Sequence, residues 1–158
     1  VIGPPWLAHV ASEEAVTCIE RMYDHDCLGI NYKNIPGCTY CHPQVASVGK
    51  TEQALIADGL KINEDYEIGA YPLKAHGKAI ASSANIGLVK IITSKPHGEI
   101  LGAHILGDQA TELIGEITLA RSLEATVQDI IDTVHAHPTM HEAIHEAALA
   151  SQNRIIHG

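Results

Sequence analysis

Apolar residues recur along this chain in two rhythms, one helical and one extended. Between Ser12 and Tyr23, the residues Ala15, Val16, Ile19, Met22 and Tyr23 fall three or four apart, the spacing of one helix face. Ser12 is placed to cap that helix, and Glu13 and Glu14 follow in its first turn, where carboxylates favour the positive end. Asp24 to Gly37 has no period and is punctuated by Asn, Gly and Pro, so it reads as a loop. Val45 to Val48 predicts a short strand, and Thr51 to Gly59 a short helix ended by its glycine.

From Tyr66 onward the rhythm becomes that of strands. Tyr66 to Lys74 is one candidate. Gly87 to Thr93 and Ile100 to Leu106 are two clearer ones, joined by the turn-forming run Ser94-Lys95-Pro96-His97-Gly98-Glu99, so they predict a hairpin. Helical spacing returns from about Ala110 to Ser122, with Leu113, Ile114, Ile117, Leu119 and Ala120 on its apolar face. Shorter helices are expected at Val127–Ile131 and Pro138–Ser151. Strands come together and helices cluster after them, which predicts an α+β fold, an antiparallel β-sheet flanked by helices.

Composition narrows this picture. A chain of 158 residues that is 46% hydrophobic and 18% charged can bury one core and is not built like a disordered segment. With no Phe and one Trp, that core must rest on Ile, Leu, Val and Ala. A net charge of −9 argues against nucleic acid and favours neutral metabolites or a basic partner. No run approaches the ~18 apolar residues that cross a bilayer. The four cysteines are too few and too unevenly placed for a secreted disulfide framework, so reduced thiols and an intracellular setting are expected. Val1-Ile2-Gly3 reads like the middle of a longer sequence, and any targeting segment is expected to lie ahead of it.

Two short motifs suggest chemistry that their context does not support. Cys38-Thr39-Tyr40-Cys41-His42 matches the C-x-x-C-H pattern of covalent haem attachment. Pro43 follows at once, a strand-like run begins at Val45, and no second cysteine pair completes a zinc site. His141-Glu142-Ala143-Ile144-His145 matches H-E-x-x-H, in which two histidines bind zinc and the Glu activates water. The longer form of that motif needs Gly at 148 and His at 151, where this chain has Ala148 and Ser151. No metal site is expected, and a zinc hydrolase remains a remote alternative.

A third reading of the same stretch pairs His137 with Glu142. A residue before proline is pushed toward extended backbone, so His137 is expected just outside the helix N-terminus. A carboxylate one turn inside that helix could reach back to one imidazole nitrogen and leave the other free. That geometry fixes the tautomer and raises imidazole basicity. Spacing alone favours a plainer arrangement, in which Glu142 satisfies the helix N-terminus and His137 packs passively.

Several separated segments, in order, resemble the C-terminal interface domain of the dihydrolipoamide dehydrogenases. These are flavin-dependent pyridine nucleotide–disulfide oxidoreductases. The matching runs are Ile35-Pro36-Gly37 with Tyr40 and Pro43, Val45 to Gly49, Thr51-Glu52, Gly87 to Lys90, and Ile100 to Gly107. Ala110 with Glu112-Leu113-Ile114, Ala125-Thr126 with Asp129-Ile130, and Val134 to Ala148 complete the set. The resemblance implies that residues 34–158 form the dimerisation domain of a homodimer and that residues 1–33 end a FAD-binding domain. It implies that His137 is the general base toward the redox dithiol of the other subunit, oriented by Glu142, with dihydrolipoamide as substrate. Trp6-Leu7-Ala8-His9 resembles the flavin-proximal segment of the family, with Trp6 where Met is usual.

The sequence has no G-x-G-x-x-G and no C-x-x-x-x-C redox pair. The chain is therefore expected to be a cut-out or truncated C-terminal domain, inactive alone and binding no flavin tightly. FAD and NAD would belong to the full-length parent. The expected partners are a second copy, the rest of the parent chain, and the subunit-binding domain of a 2-oxoacid dehydrogenase acyltransferase. The compartment would be the cytoplasm in a bacterium, or the mitochondrial matrix or a plastid in a eukaryote. The alternatives are the same domain of a glutathione- or mercuric-reductase-like enzyme, or a dimerisation module without catalysis.

Overall fold

The computed structural model describes residues 2–157, which form two compact units divided between Ile35 and Pro36. The first unit holds one long helix, α1 (Ala8–Met22), and a 3₁₀ turn at Tyr32–Asn34. α1 starts at Ala8, earlier than the Ser12 cap expected from sequence. Ser12 lies inside the helix, where its hydroxyl donates to the Ala8 carbonyl (3.1 Å) and caps nothing.

The second unit is an antiparallel five-stranded sheet with helices on its faces. The strands are β1 (Gly37–Thr39), β2 (Gln44–Gly49), β3 (Tyr66–Pro72), β4 (Leu88–Ser94) and β5 (Ile100–Gly107), in the spatial order β1-β2-β5-β4-β3. Between them lie α2 (Glu52–Ala57) and α3 (Gly77–Ala81), and after them come α4 (Ala110–Ser122), α5 (Val127–Asp132) and α6 (Glu142–Ser151). This is the α+β architecture that the strand and helix patterns predict. The β4–β5 hairpin closes through Ser94 and Glu99, with Gly98 at φ +72°, a conformation that L side chains rarely adopt. Neither β1 nor α3 was expected, because elements of three and five residues are too short to establish a period.

Strand alternation sorts the sheet into two faces. Ala46, Ile105, Val89 and Tyr71 align across four strands, as do Val48, Ala103 and Ile91. These residues are buried with Leu113, Ile114 and Ile117 of α4 and Ala143, Ile144, Ala147 and Ala148 of α6 in one core. On the other face, Leu55 of α2 packs with Tyr66 and Ile92 in a smaller cluster. Farther along that face, Val45, Leu106 and Leu88 line up across β2, β5 and β4 and remain partly exposed, at 41%, 36% and 38%.

The small side chains of α6 let it lie very close to β3. At Gly69 the approach is so tight that an added Cβ would collide with the Ala147 carbonyl and the Ser151 amide. Backbone cannot yield as a flexible side chain can, so the position requires glycine for contact distance. Gly69→Ala is expected to lower stability by about 1–3 kcal/mol. The reading is a fall in the urea midpoint at constant slope; an unchanged midpoint would count against this packing.

Candidate active site

The last turn before α6 carries the densest chemistry of the chain. The helix expected from Pro138 begins instead at Glu142, with His141 as its N-cap. Residues 137–141 form a turn because their hydrogen bonds are used locally. The Thr139 hydroxyl donates to the Ala136 carbonyl (2.7 Å), and the Thr139 N–H donates to Glu142 Oε2 (2.8 Å).

Glu142 uses its second oxygen on His137. The His137 Nδ1–H donates to Oε1 at 2.8 Å. A carboxylate only accepts, so Nδ1 carries the hydrogen and the neutral ring keeps its lone pair on Nε2. The His137 side chain is 79% exposed and that of Glu142 27%, so the imidazole projects outward from a half-buried carboxylate. The geometry is thus the paired arrangement, and Glu142 caps the turn at the same time. Partial burial pushes the Glu142 carboxyl up. The Thr139 amide, the His137 hydrogen bond and charge, and the charge of His76 outweigh it, so the group lies below the ordinary carboxylate value.

Further carboxylates hold the histidines around this pair. Glu116 on α4 accepts from His135 Nε2 (2.8 Å) and from His141 Nδ1 (2.6 Å), so one side chain grips both ends of the turn. Glu146, 4% exposed, accepts from the backbone N–H of Ile156 and His157 and from His157 Nδ1. Burial pushes its carboxyl up, but those bonds and the His157 charge hold it below the ordinary value. A cavity of about 610 Å³ opens beside the pair, with Tyr71, His76, His137, Glu142, Glu146 and His157 among its lining.

The two distracting motifs come apart in three dimensions. His145 lies on α6 and its Nε2–H donates to the Ile131 carbonyl (3.1 Å), whereas His141 turns to Glu116. His141 stands at the N-cap of α6 and not within the helix expected from Pro138, and the two imidazoles of H-E-x-x-H serve different partners. Among the described residues, no three His, Cys, Asp or Glu side chains are grouped to hold a metal ion. Cys38 sits half-buried on β1, where burial pushes its thiol up, and Cys41 is exposed in the following turn, its Sγ–H donating to the Pro43 carbonyl. Trp6 and Leu7 precede α1, and Ala8 and His9 are its first two residues. Trp6 is 83% exposed, and the first turn of the helix has neither a side-chain cap nor an acidic residue.

Glu116, His76, Glu146 and His157 were not identified from sequence. Their bonds span 10 to 63 positions, and no local spacing marks such pairs. The available signal was compositional: 11 histidines beside 19 acidic residues make carboxylate–imidazole pairs common without marking which residues form them.

Residues 35–148 match the pyridine nucleotide-disulphide oxidoreductase dimerisation domain, and the chain belongs to that family. It is 44% identical over 158 residues to a dihydrolipoyl dehydrogenase of Zymomonas mobilis, a match covering 99% of this chain and 33% of that protein. It is 43% identical over 160 residues to mitochondrial dihydrolipoyl dehydrogenase 1 of Arabidopsis thaliana, covering 99% of this chain and 30% of that one. The chain thus spans about a third of the length of these relatives. The crystal structure of LpdA from Mycobacterium tuberculosis shares the fold, with a TM-score of 0.82 at 24% identity over 90% of this chain and 30% of that one.

Two pH-linked outcomes follow. His137→Gln should raise the Glu142 carboxyl toward the ordinary value, read by carbon-detected NMR titration; an unmoved carboxyl would contradict the coupling. Because Glu142 and Glu146 titrate lower in the folded chain than the ordinary 4.5, their stabilisation is complete above that value. It is lost as pH falls through the folded values, so acid unfolding of Glu146→Gln should be less steep below pH ~4.5.

Proposed function

We propose that this chain is the dimerisation domain of a dihydrolipoyl dehydrogenase and that His137 is its general base, acting on the redox disulfide of the other subunit. One observation carries the reading: the His137 Nδ1–Glu142 bond of 2.8 Å, which leaves Nε2 as the basic atom on an exposed ring. Disulfide exchange needs thiolate, since the thiol is a poor nucleophile. In the proposed reaction Nε2 takes the proton of one dihydrolipoamide thiol, and the thiolate sulfur attacks one sulfur of the partner's disulfide. The S–S bond breaks, and the leaving sulfur takes the electron pair and then a proton. Nε2 then takes the proton of the second substrate thiol, and that thiolate attacks the substrate sulfur of the mixed disulfide. This S–S bond breaks, cyclic lipoamide leaves, and the protein sulfur takes the electron pair and then the proton from the imidazolium, leaving a dithiol. Glu142 stabilises the imidazolium that forms between the two steps and keeps the ring aimed.

FAD and NAD, in the parent, would carry the electrons of that dithiol onward. Trp6, Leu7, Ala8 and His9 are the proposed flavin contacts. The uncapped first turn of α1 fits an electron-rich ring edge, because free N–H groups and the positive helix end gather there. On this reading the first unit is the end of a FAD-binding domain, and the remaining flavin contacts come from chain outside these residues. The compartment would be the cytoplasm of a bacterium or an organelle matrix.

Homodimerisation is supported by apolar side chains left on the surface, including the Val45–Leu106–Leu88 row, Leu119, Leu123 and Val134. The chain is expected to be a dimer at micromolar concentration, and a monomer by light scattering would refute this. The charge of −9 suits a basic docking partner such as an acyltransferase subunit-binding domain. Activity is tested by joining this chain to the preceding two-thirds of the Zymomonas enzyme. His137→Gln should then cut dihydrolipoamide oxidation by roughly 10²–10⁴-fold at unchanged flavin content. Equal activity of the two forms would leave only a dimerisation role.

A further inference from the structure

His76 is a buried titratable group that the proposed reaction does not use. It stands at the N-cap of α3, 4% exposed, and its ring meets Tyr71 edge-on at 5.8 Å and 89°. Burying an imidazole is costly unless its polar atoms are bonded. Its Nε2 is 2.8 Å from the Thr139 carbonyl, which only accepts, so Nε2 carries the hydrogen.

Thr139 sits between His137 and Glu142 and touches the carboxylate directly. Its N–H occupies Oε2 while His137 occupies Oε1, so the direction of that amide helps set the plane of the carboxylate. Its hydroxyl and amide bonds each span three residues and stay within the turn, moving wherever the turn moves. The carbonyl bond to His76 spans 63 residues and, among the described residues, is the hydrogen bond that ties Thr139 to another element. Glu116 holds the flanks of the turn at His135 and His141, and His76 holds its apex.

We propose that His76 is a positioning residue for the His137–Glu142 pair, holding Thr139 so that the carboxylate faces the imidazole. This rests on reading that pair as a working base. His76 does not touch the reacting atoms; it acts through one backbone carbonyl. Its charge also contributes to the low Glu142 carboxyl, and the test must separate charge from position.

The experiment uses the labelled chain, in which nitrogen-15 shifts report the His137 tautomer and carbon detection follows Glu142. In His76→Leu the Nδ1–H signature of His137 should weaken and the Glu142 carboxyl should rise toward its ordinary value. In His76→Gln, whose amide donates from nearly the same place, the tautomer should be restored and Glu142 in part, since the charge is gone. If His76→Leu folds and neither signal moves, the proposal is overturned. It is equally overturned if Gln behaves as Leu does, because charge or bulk alone would then account for His76. Should His76→Leu not fold, the Gln variant and the through-hydrogen-bond coupling from His76 Nε2 to the Thr139 carbonyl carbon in wild type decide. A missing coupling overturns the proposal. Glu142→Gln is the separate control: if it leaves the His137 tautomer unchanged, the base reading fails. The effect of His76 on Glu142 still stands or falls by its own measurement.

Discussion

Backbone contact between α6 and β3 is the constraint on which the rest of the site depends. Gly69 lets the Ala147 carbonyl and the Ser151 amide lie against the strand, and Ala143, Ala147 and Ala148 keep the helix low on the sheet. Glu142 is the first residue of that helix, so its height above the sheet is fixed by the packing of residues one to three turns away. A larger residue anywhere along this seam would shift the carboxylate before it touched the chemistry. The interior thus works as a jig, because close-packed elements transmit displacement with little slack.

On that base, three glutamates organise four imidazoles: Glu116 with His135 and His141, Glu142 with His137, and Glu146 with His157. Each carboxylate is partly or wholly buried, and each is compensated by donors that reach it from a turn or a tail. The pairing does more than neutralise charge. A carboxylate accepts with two oxygens, so it can hold one group while orienting another, as Glu142 does with Thr139 and His137. Two of these imidazoles, His137 and His157, combine a carboxylate on Nδ1 with a largely exposed side chain, at 79% and 72%. His137 is the one whose carboxylate also holds the turn ahead of α6 through the Thr139 amide.

Much of the fold was legible from the sequence because its main elements are long and regular. The β4–β5 hairpin and α4 announce themselves through alternation and helical spacing, and Thr51 caps α2 as its chemistry suggests. The pairing of His137 with Glu142 was legible as a possibility because it spans five residues. What spacing could not decide was whether the carboxylate faces the imidazole or only the turn; the structure has it doing both. Pro138 misled the placement of the helix start, since the side chain of Thr139 competes for the bonds that would begin a helix there. Glu116 and His76 were invisible for a different reason. Their partners lie on other elements, and nothing in one window of sequence encodes which face of α4 or which end of β3 arrives beside the turn.

The separation between local bond and distant frame has a consequence for how the molecule is made. The His137–Glu142 bond closes a loop of a few residues and carries a small entropic cost, so a partly folded chain could form it early. The His76–Thr139 and Glu116–His141 bonds join positions 63 and 25 apart and need the sheet and α4 already docked. A newly synthesised chain can therefore hold the imidazole–carboxylate contact while lacking the frame that aims it. Competence arrives with the last long-range closure, not with the first short one.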